Sequence, residues 1–115
     1  MDPHNVVILR GTVSSAPVVR VLPSGDVVTN LDVTTRTGAL TASVPVVVDG
    51  ENSDVRVSSE VVGVGHVRRR FFRIGGATQS RTEVVASTLV PVRQRRRAQR
   101  TLATTVSVLS EALLD

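Results

Sequence analysis

Short runs rich in valine, separated by turn-forming residues, set the strongest limit on the fold of this 115-residue chain. β-Branched side chains lose χ1 freedom in a helix but pack well on a pleated sheet. The first run predicts a strand over Val6–Val13, continued from Pro17 to Leu22 as an extended piece. The sequence PSGD at residues 23–26 predicts a turn, because proline presets φ and glycine supplies a positive φ.

Four further strands complete the predicted β domain. Leu31 and Val33 alternate with polar residues, which is the period of a half-buried strand. The strands are predicted over Val27–Thr35, Ala42–Val48, Val61–Phe72 and Thr82–Val92. The last two are joined by Ile74–Gln79, which contains Gly75 and Gly76 and is predicted to be a flexible hairpin loop. Five strands with long hairpins and no crossover helix predict a small barrel or sandwich.

The pattern changes from strand to helix after residue 92. Leucine or valine recurs at spacings of 4, 3 and 4, which marks one face of a helix, at Leu102, Val106, Leu109 and Leu113. We therefore divide the chain into a β domain, residues 1–92, and a basic helical extension, residues 93–115. The apolar face needs a cover, either the sheet or a second subunit, and we expect a homodimer or homotetramer.

Positive charge is concentrated in the second half of the chain, where every basic residue apart from histidine is arginine. Residues 1–60 hold four arginines against seven acidic residues, and residues 61–115 hold ten arginines against three. A basic half indicates a polyanion or an acidic partner. Five of these arginines fall within residues 93–100. This cluster has three alternative interpretations: it extends a nucleic-acid track, it is a solvated start to the helix, or it pairs with acidic residues of a neighbour.

The sequence argues against several classes of function. It has no cysteine and two histidines, and no two carboxylates stand in a recognisable catalytic frame, so we expect no enzyme activity, metal, cofactor or small-molecule substrate. It has no apolar run of about 18 residues, so no membrane span is expected. The opening MDPHN lacks the features of a signal peptide, so the expected location is the cytoplasm.

The stretch GHVRRRFFRIGG, residues 65–76, contains both phenylalanines of a chain that has no tryptophan or tyrosine. Alternation along a strand puts Arg68, Arg70 and Phe72 on one face. Arginine pairs with phosphate or stacks on a base, and phenylalanine offers a flat platform, so this combination suits single-stranded nucleic acid. The alternative for Phe72 is core or interface packing. Phe71 faces the other way and is predicted to pack or to contact a loop.

An ordered set of motifs resembles the bacterial single-stranded DNA-binding protein family over residues 5–92. The set comprises GHVRRRFFR, RTEVVASTLVPV, the PSG turn, and Asn5, Gly11, Pro17, Arg20 and Asn30. The resemblance implies an all-β, five-stranded OB-fold barrel, here with an added C-terminal α-helix. It also implies sequence-independent binding of single-stranded DNA in replication, repair or recombination, in association with the nucleoid. The implied DNA contacts are first Arg68, Arg70 and Phe72, then Arg36, Arg10, Arg20 and Arg73.

The chain also departs from the family pattern. Non-aromatic residues occupy three positions where the family places aromatic ones, Ala39, Ser43 and Asp49. The helix between the third and fourth strands is missing or reduced to Glu51–Ser58, and the long tail with an acidic tip is absent. These departures favour an alternative function. In that alternative the chain is an interaction module that oligomerises or docks to a replication protein, similar to the primosomal replication protein N of some bacteria.

Overall fold

Six strands are followed by one helix. The structure, a computed structural model, describes residues 4–52 and 54–114. Its elements are β1 (Val7–Val13), β2 (Val18–Val21), β3 (Val27–Thr37), β4 (Leu40–Asp49), β5 (Glu60–Ile74), β6 (Ala77–Pro91) and α1 (Arg95–Ala112). The strand and extended piece predicted before residue 23 are β1 and β2. The break between them is held to β3 by the Ser15 hydroxyl, which accepts a hydrogen bond of 2.8 Å from the Asp32 backbone N–H.

The strands close into a barrel. β1 pairs antiparallel with β5 along one edge and, through Thr12 and Val13, with β3 along the other. The ring continues from β3 to β4, from β4 to β6 in the single parallel pairing of the described strands, and from β6 back to β5. β2 extends the first strand along β3. Counting β1 and β2 as one bent strand gives the five-stranded OB-fold barrel predicted from the sequence.

Valine and leucine side chains from every strand of the ring fill the barrel. The most deeply buried are Val13, Val33, Val46 and Val61, each at most 2% exposed. The segment between β4 and β5 holds no helix among its described residues, as expected. It contributes Val55, which is 4% exposed and joins the core cluster.

Two consecutive glycines allow β5 and β6 to form a much longer hairpin than predicted. The strands pair without interruption from Arg68–Glu83 out to Ile74–Ala77, which leaves only Gly75 and Gly76 in the turn. Their φ values are 57° and 80°, and a two-residue type I′ turn needs a positive φ at both positions. The prediction of a flexible loop over Ile74–Gln79 is therefore wrong.

The outer half of this hairpin projects beyond the barrel. β1 pairs with β5 only as far as Gly65, and β4 pairs with β6 only over Val84–Ala86. Asn5, which precedes β1, adds one further contact along this edge of β5. Its side chain exchanges hydrogen bonds of 2.7 and 2.9 Å with the backbone of Val67. Among the described residues, positions 68–83 form strand pairs only with one another. We call this two-stranded projection the arm.

A bulge marks the end of the barrel portion of the hairpin. The register shifts between Val64 and Gly65, so that Ser87 is an extra residue on β6, and its hydroxyl donates to the Val64 carbonyl at 3.1 Å. The backbones approach closely here, because a Cβ on Gly65 would lie 1.9 Å from the Val85 carbonyl oxygen. Bulges bend and twist a strand, so this one sets the direction of the arm.

The helix α1 lies on the outside of the barrel, over β5 and β6. Ala98 is buried in a small cluster with Val62 and Val90, and Leu102 packs at its margin. From Leu102 the same helix face continues through half-buried positions three and seven residues further on, Thr105 and Leu109. Val106 and Leu113, the other two members of the predicted apolar face, are 54% and 76% exposed, so the sheet covers only part of that face. No helix among the described residues is long and apolar enough to cross a membrane.

Candidate nucleic-acid interface

A shallow groove crosses the outer face of the sheet where the arm leaves the barrel. Its walls are side chains that alternate with those of the core, so each points away from the barrel interior. Its floor is apolar, formed by Leu22, Val28, Val47 and Val85. Its polar residues are Arg20, Asn30, Asp49, Arg68, Arg70 and Glu83. We call this surface the groove.

A buried carboxylate lies at the base of the arm. The side chain of Glu83 is 1% exposed, and three arginines surround it. Arg68 Nη2 forms a close charged hydrogen bond to Oε2, Arg70 Nε lies 3.5 Å from Oε2, and Arg81 Nε lies 3.7 Å from Oε1. A carboxylate buried without partners would cost much free energy, and these guanidinium groups supply them. The four side chains together carry a charge of about +2 at neutral pH.

The three arginines differ in how strongly Glu83 holds them. Arg68 makes the closest contact, whereas Arg70 and Arg81 lie beyond ordinary hydrogen-bond distance. Their side chains are 44%, 44% and 48% exposed, in that order along the sequence. A guanidinium has five N–H donors, so each keeps donors that face solvent. Arg68 therefore anchors the carboxylate, and Arg70 and Arg81 present positive charge at the surface.

Each phenylalanine of the arm pairs with the arginine two positions before it. The Arg70 Cζ atom lies 5.2 Å from the ring centroid of Phe72, and the Arg69 Cζ atom lies at the same distance from that of Phe71. Both distances suit a cation–π interaction. Phe72 is half-buried and shares the face of the arm that bears Arg68 and Arg70, as strand alternation predicts. Phe71 is 63% exposed, so the prediction that it packs against the protein is wrong.

The structure brings only some of the other predicted contacts to the groove. Arg20 lines it from β2. Arg36 is exposed near the far end of β3, opposite Thr41, on the side of the strand that carries Asn30. It lies six residues further along the strand than Asn30, which is roughly 20 Å. Arg73 is at the tip of the arm on the face of Phe71, where its Nη2 donates to the Gly76 carbonyl at 2.6 Å.

Arg10 lies away from the groove. It is opposite Val62 in the β1–β5 pairing, on the part of the outer face that α1 covers beside Ala98. Its Nη2 forms an ion pair of 2.7 Å with Glu60. Its side chain is 65% exposed. The family resemblance gives its position in the chain, but neither its place beside the helix nor the ion pair can be read from the motif.

A second basic region lies at the start of α1, at the other end of the β5–β6 hairpin from the arm. Here Arg97 Nη1 lies 3.5 Å from the Asp54 carboxylate, and Arg93 Nη2 donates to the Asp54 carbonyl at 3.1 Å. These contacts match the predicted pairing with acidic residues, but they form within one chain. The position of this region separates it from the groove.

Sequence reasoning missed Arg81 and Glu83. The predicted loop extended through Gln79 and the fifth strand began at Thr82, so Arg81 lay outside the strand. Glu83 lay inside it but had no predicted cross-strand partner. Counting outward from a two-residue turn at Gly75 and Gly76 places Arg81 opposite Arg70 and Glu83 opposite Arg68. The signal was therefore present in the two adjacent glycines. The described residues contain no group of histidine, cysteine or carboxylate side chains arranged to hold a metal ion.

Comparison with known proteins supports the fold assignment. No family model matches the sequence, and no curated protein matches it. The fold is similar to that of a solved structure of the Plasmodium falciparum SSB in complex with ssDNA, with a TM-score of 0.66 and 20% sequence identity. The match covers 79% of this chain and 96% of the other. The OB-fold barrel predicted from the sequence is thus confirmed.

Proposed function

We propose that this protein binds single-stranded DNA without sequence preference, through the groove and the adjoining face of the arm. The observation that carries the proposal is the cluster of Arg68, Arg70 and Arg81 around Glu83, next to Phe72. The similar solved structure, an SSB with ssDNA bound, supports the same ligand. In this proposal the protein acts in DNA replication, repair or recombination, in the cytoplasm at the nucleoid.

The proposed mode of binding divides the work between charge and stacking. Arg70 and Arg81 pair with phosphates through their solvent-facing N–H donors, while Arg68 stays on the buried carboxylate. Arg20 supplies a further cation from β2. Bases lie against the apolar floor, and one stacks on Phe72, where the bound Arg70 keeps the ring in place. Stacking on an aromatic ring is tolerant of sequence because every base has a flat face.

Charge is expected to supply most of the affinity, because Phe72 is the one aromatic ring on the groove side of the arm. Each phosphate neutralised on a single strand contributes a slope of about −0.7 to the dependence of log K on log salt concentration. Asp49, which is exposed at the groove, works against a phosphate in its vicinity. Binding should therefore weaken steeply as salt is raised.

The test is fluorescence anisotropy of a dye-labelled oligo-dT at roughly 50 and 200 mM salt. We expect the double variant Arg70→Ala/Arg81→Ala to bind more weakly at low salt and with a shallower salt slope. The matched control is Arg96→Ala/Arg100→Ala, which removes the same charge from the start of α1 at the other end of the hairpin. Equal losses of oligo-dT affinity in the two double variants would mean that DNA is attracted by the overall positive charge of the protein and is not bound at the groove.

A second candidate function is the interaction module, and the exposed apolar side chains of α1 and of the two leucines that follow it favour this candidate. Val106, Val108, Leu113 and Leu114 are each more than half exposed. They are available to a second subunit of a homodimer or homotetramer, or to another protein. Failure of the wild-type protein to bind oligo-dT even at low salt would favour this candidate over DNA binding.

A further inference from the structure

The arm has a second face, opposite the groove, that nothing in the described chain covers. Strand alternation and cross-strand pairing give it six members, Arg69, Phe71, Arg73, Thr78, Ser80 and Thr82. We call it the rear face. Within the barrel, this side of β5 and β6 faces the core. The pairings of β5 with β1 and of β6 with β4 end before the rear face begins. The rear face therefore lies outside the barrel and is open to solvent.

The rear face repeats the chemistry of the groove side of the arm. Phe71 is exposed, with the guanidinium of Arg69 over its ring at 5.2 Å. Arg69 is also oriented by its Nη2, which donates to the Ser80 hydroxyl at 3.2 Å. The other members of this face on β6 are threonines, which have small side chains. A flat ring with a fixed cation next to it can receive a nucleobase and its phosphate.

Charge on this face favours a polyanion over a protein surface. Arg69 and Arg73 belong to it, and none of its described members is acidic. The single acidic residue between positions 68 and 83 is Glu83, which is buried and points to the groove side. The positive charge of the rear face is therefore not offset by a carboxylate of the arm.

We propose that the rear face is a second binding surface for single-stranded DNA. One base stacks on Phe71, and the flanking phosphates pair with Arg69 and Arg73. A strand bound in the groove passes around the arm, two β-strands wide, and continues on the rear face. This inference rests on the proposed function, since it assigns a further segment of the same ligand.

The test compares a short oligo-dT of about 8 nucleotides, within the site size of one OB-fold, with a long one of about 30. Phe71→Ala should leave the affinity for the short oligonucleotide unchanged and weaken binding of the long one about 5- to 100-fold, the loss expected for one stacked base. Phe72→Ala should weaken both. Phe71→Leu keeps an apolar side chain without a flat ring, and should behave as Phe71→Ala does.

A direct readout is available because the chain has no tryptophan. In Phe71→Trp the indole fluorescence should be quenched by the long oligonucleotide only. In the matched variant Phe72→Trp both lengths should quench it. These spectra report stacking at each face, independently of the overall affinity.

Three results would overturn the inference while leaving the proposed function intact. Phe71→Ala binds both lengths as the wild type does, or it loses affinity for both equally, which would merge the two faces into one site. Alternatively it changes the mass of the assembly, which would make the rear face a contact between copies of this chain. Absence of wild-type binding to either length at low salt would instead remove the proposed function, and this inference with it.

Discussion

The barrel portion and the arm are built from the same two strands, yet they differ in almost every physical respect. In the barrel portion β5 also pairs with β1, β6 also pairs with β4 over Val84–Ala86, and the two strands bury Val61, Leu89 and Val90. In the arm the strands have only each other, and both faces meet solvent. The chain changes from one condition to the other within a few residues of the bulge at Gly65.

This difference separates the residues that hold the fold from those free to bind. An isolated two-stranded hairpin is at best marginally stable in water, so the arm depends on the barrel for its order. Glu83 strengthens that dependence, since it is buried where the two portions meet and holds three arginines of the arm. Apart from the half-buried Phe72, the remaining side chains of the arm are exposed, and their chemistry is available to a ligand.

The sharpest test of the comparison removes an apolar side chain from each portion. Leu89→Ala should lower the free energy of unfolding by about 2–5 kcal/mol, because it leaves a cavity in the core. Ile74→Ala, at the 63% exposed tip of the arm, should change it by less than about 0.5 kcal/mol. Urea denaturation followed by circular dichroism measures both. Similar losses in the two variants would mean that the arm is packed in solution.

The junction itself can be tested by adding one methyl group. Gly65→Ala places a Cβ against the backbone of Val85 and Ala86, which cannot move aside easily, and should cost about 1–3 kcal/mol of unfolding free energy. The control is Gly63→Ala, where the nearest atom is the side-chain Cδ1 of Leu89 at 3.2 Å. It should cost less, because a side chain can yield. A Gly65→Ala protein as stable as the Gly63→Ala protein would contradict the close approach at the bulge.

The carboxylate at the base of the arm should affect both stability and binding. Glu83→Gln keeps the size of the side chain but removes its charge, so stability should fall by about 1–2 kcal/mol, a modest loss because the arginines are nearly half exposed. The arm gains one unit of net positive charge, so the salt dependence of oligo-dT binding should become steeper. Glu60→Gln, which alters an exposed pair with Arg10, serves as the control for both measurements. An unchanged salt slope in Glu83→Gln would show that its arginines do not meet phosphate.

The smallest expected effect distinguishes Arg20 from Arg10, two arginines for which the family resemblance implies the same role in DNA binding. Arg20→Ala should reduce oligo-dT affinity a few-fold and lower the salt slope by about 0.7, as for the loss of one phosphate contact on a single strand. Arg10→Ala should leave both unchanged, because the residue lies beside α1. Anisotropy at several salt concentrations measures the difference. Equal effects would mean that DNA reaches the outer surface of the helix.

The barrel could be predicted from the sequence because its signals are local. Runs rich in valine mark the strands, and the PSGD turn fixes one connection without any knowledge of tertiary contacts. Strand alternation also gave the common face of Arg68, Arg70 and Phe72. Local patterns decide which side of a strand a residue occupies, and at these positions that was sufficient.

The other features of the structure depended on strand register and on which surfaces are buried by other elements, and neither of these is a local property. Arg81 and Glu83 became visible only once the turn at Gly75 and Gly76 fixed the pairing across the hairpin. The face of α1 that packs on the sheet is the one that carries Ala98, which is buried against Val62. The spacing of leucine and valine along the helix was therefore not sufficient to identify this face. Register and burial by other elements depend on pairs of residues far apart in sequence. The periodicity of one strand holds no information on such pairs.

The closure of the barrel has a consequence for how the chain acquires its fold. β1 is paired along most of its length with β5, from Val7–Gly65 to Thr12–Glu60, so its partner lies beyond the midpoint of the chain. During synthesis β1 leaves the ribosome long before β5 exists, and it must wait with an open edge. Contacts so distant in sequence make refolding slow, roughly milliseconds to seconds for barrels of this kind. The nascent protein is therefore most exposed to aggregation before the arm has been made.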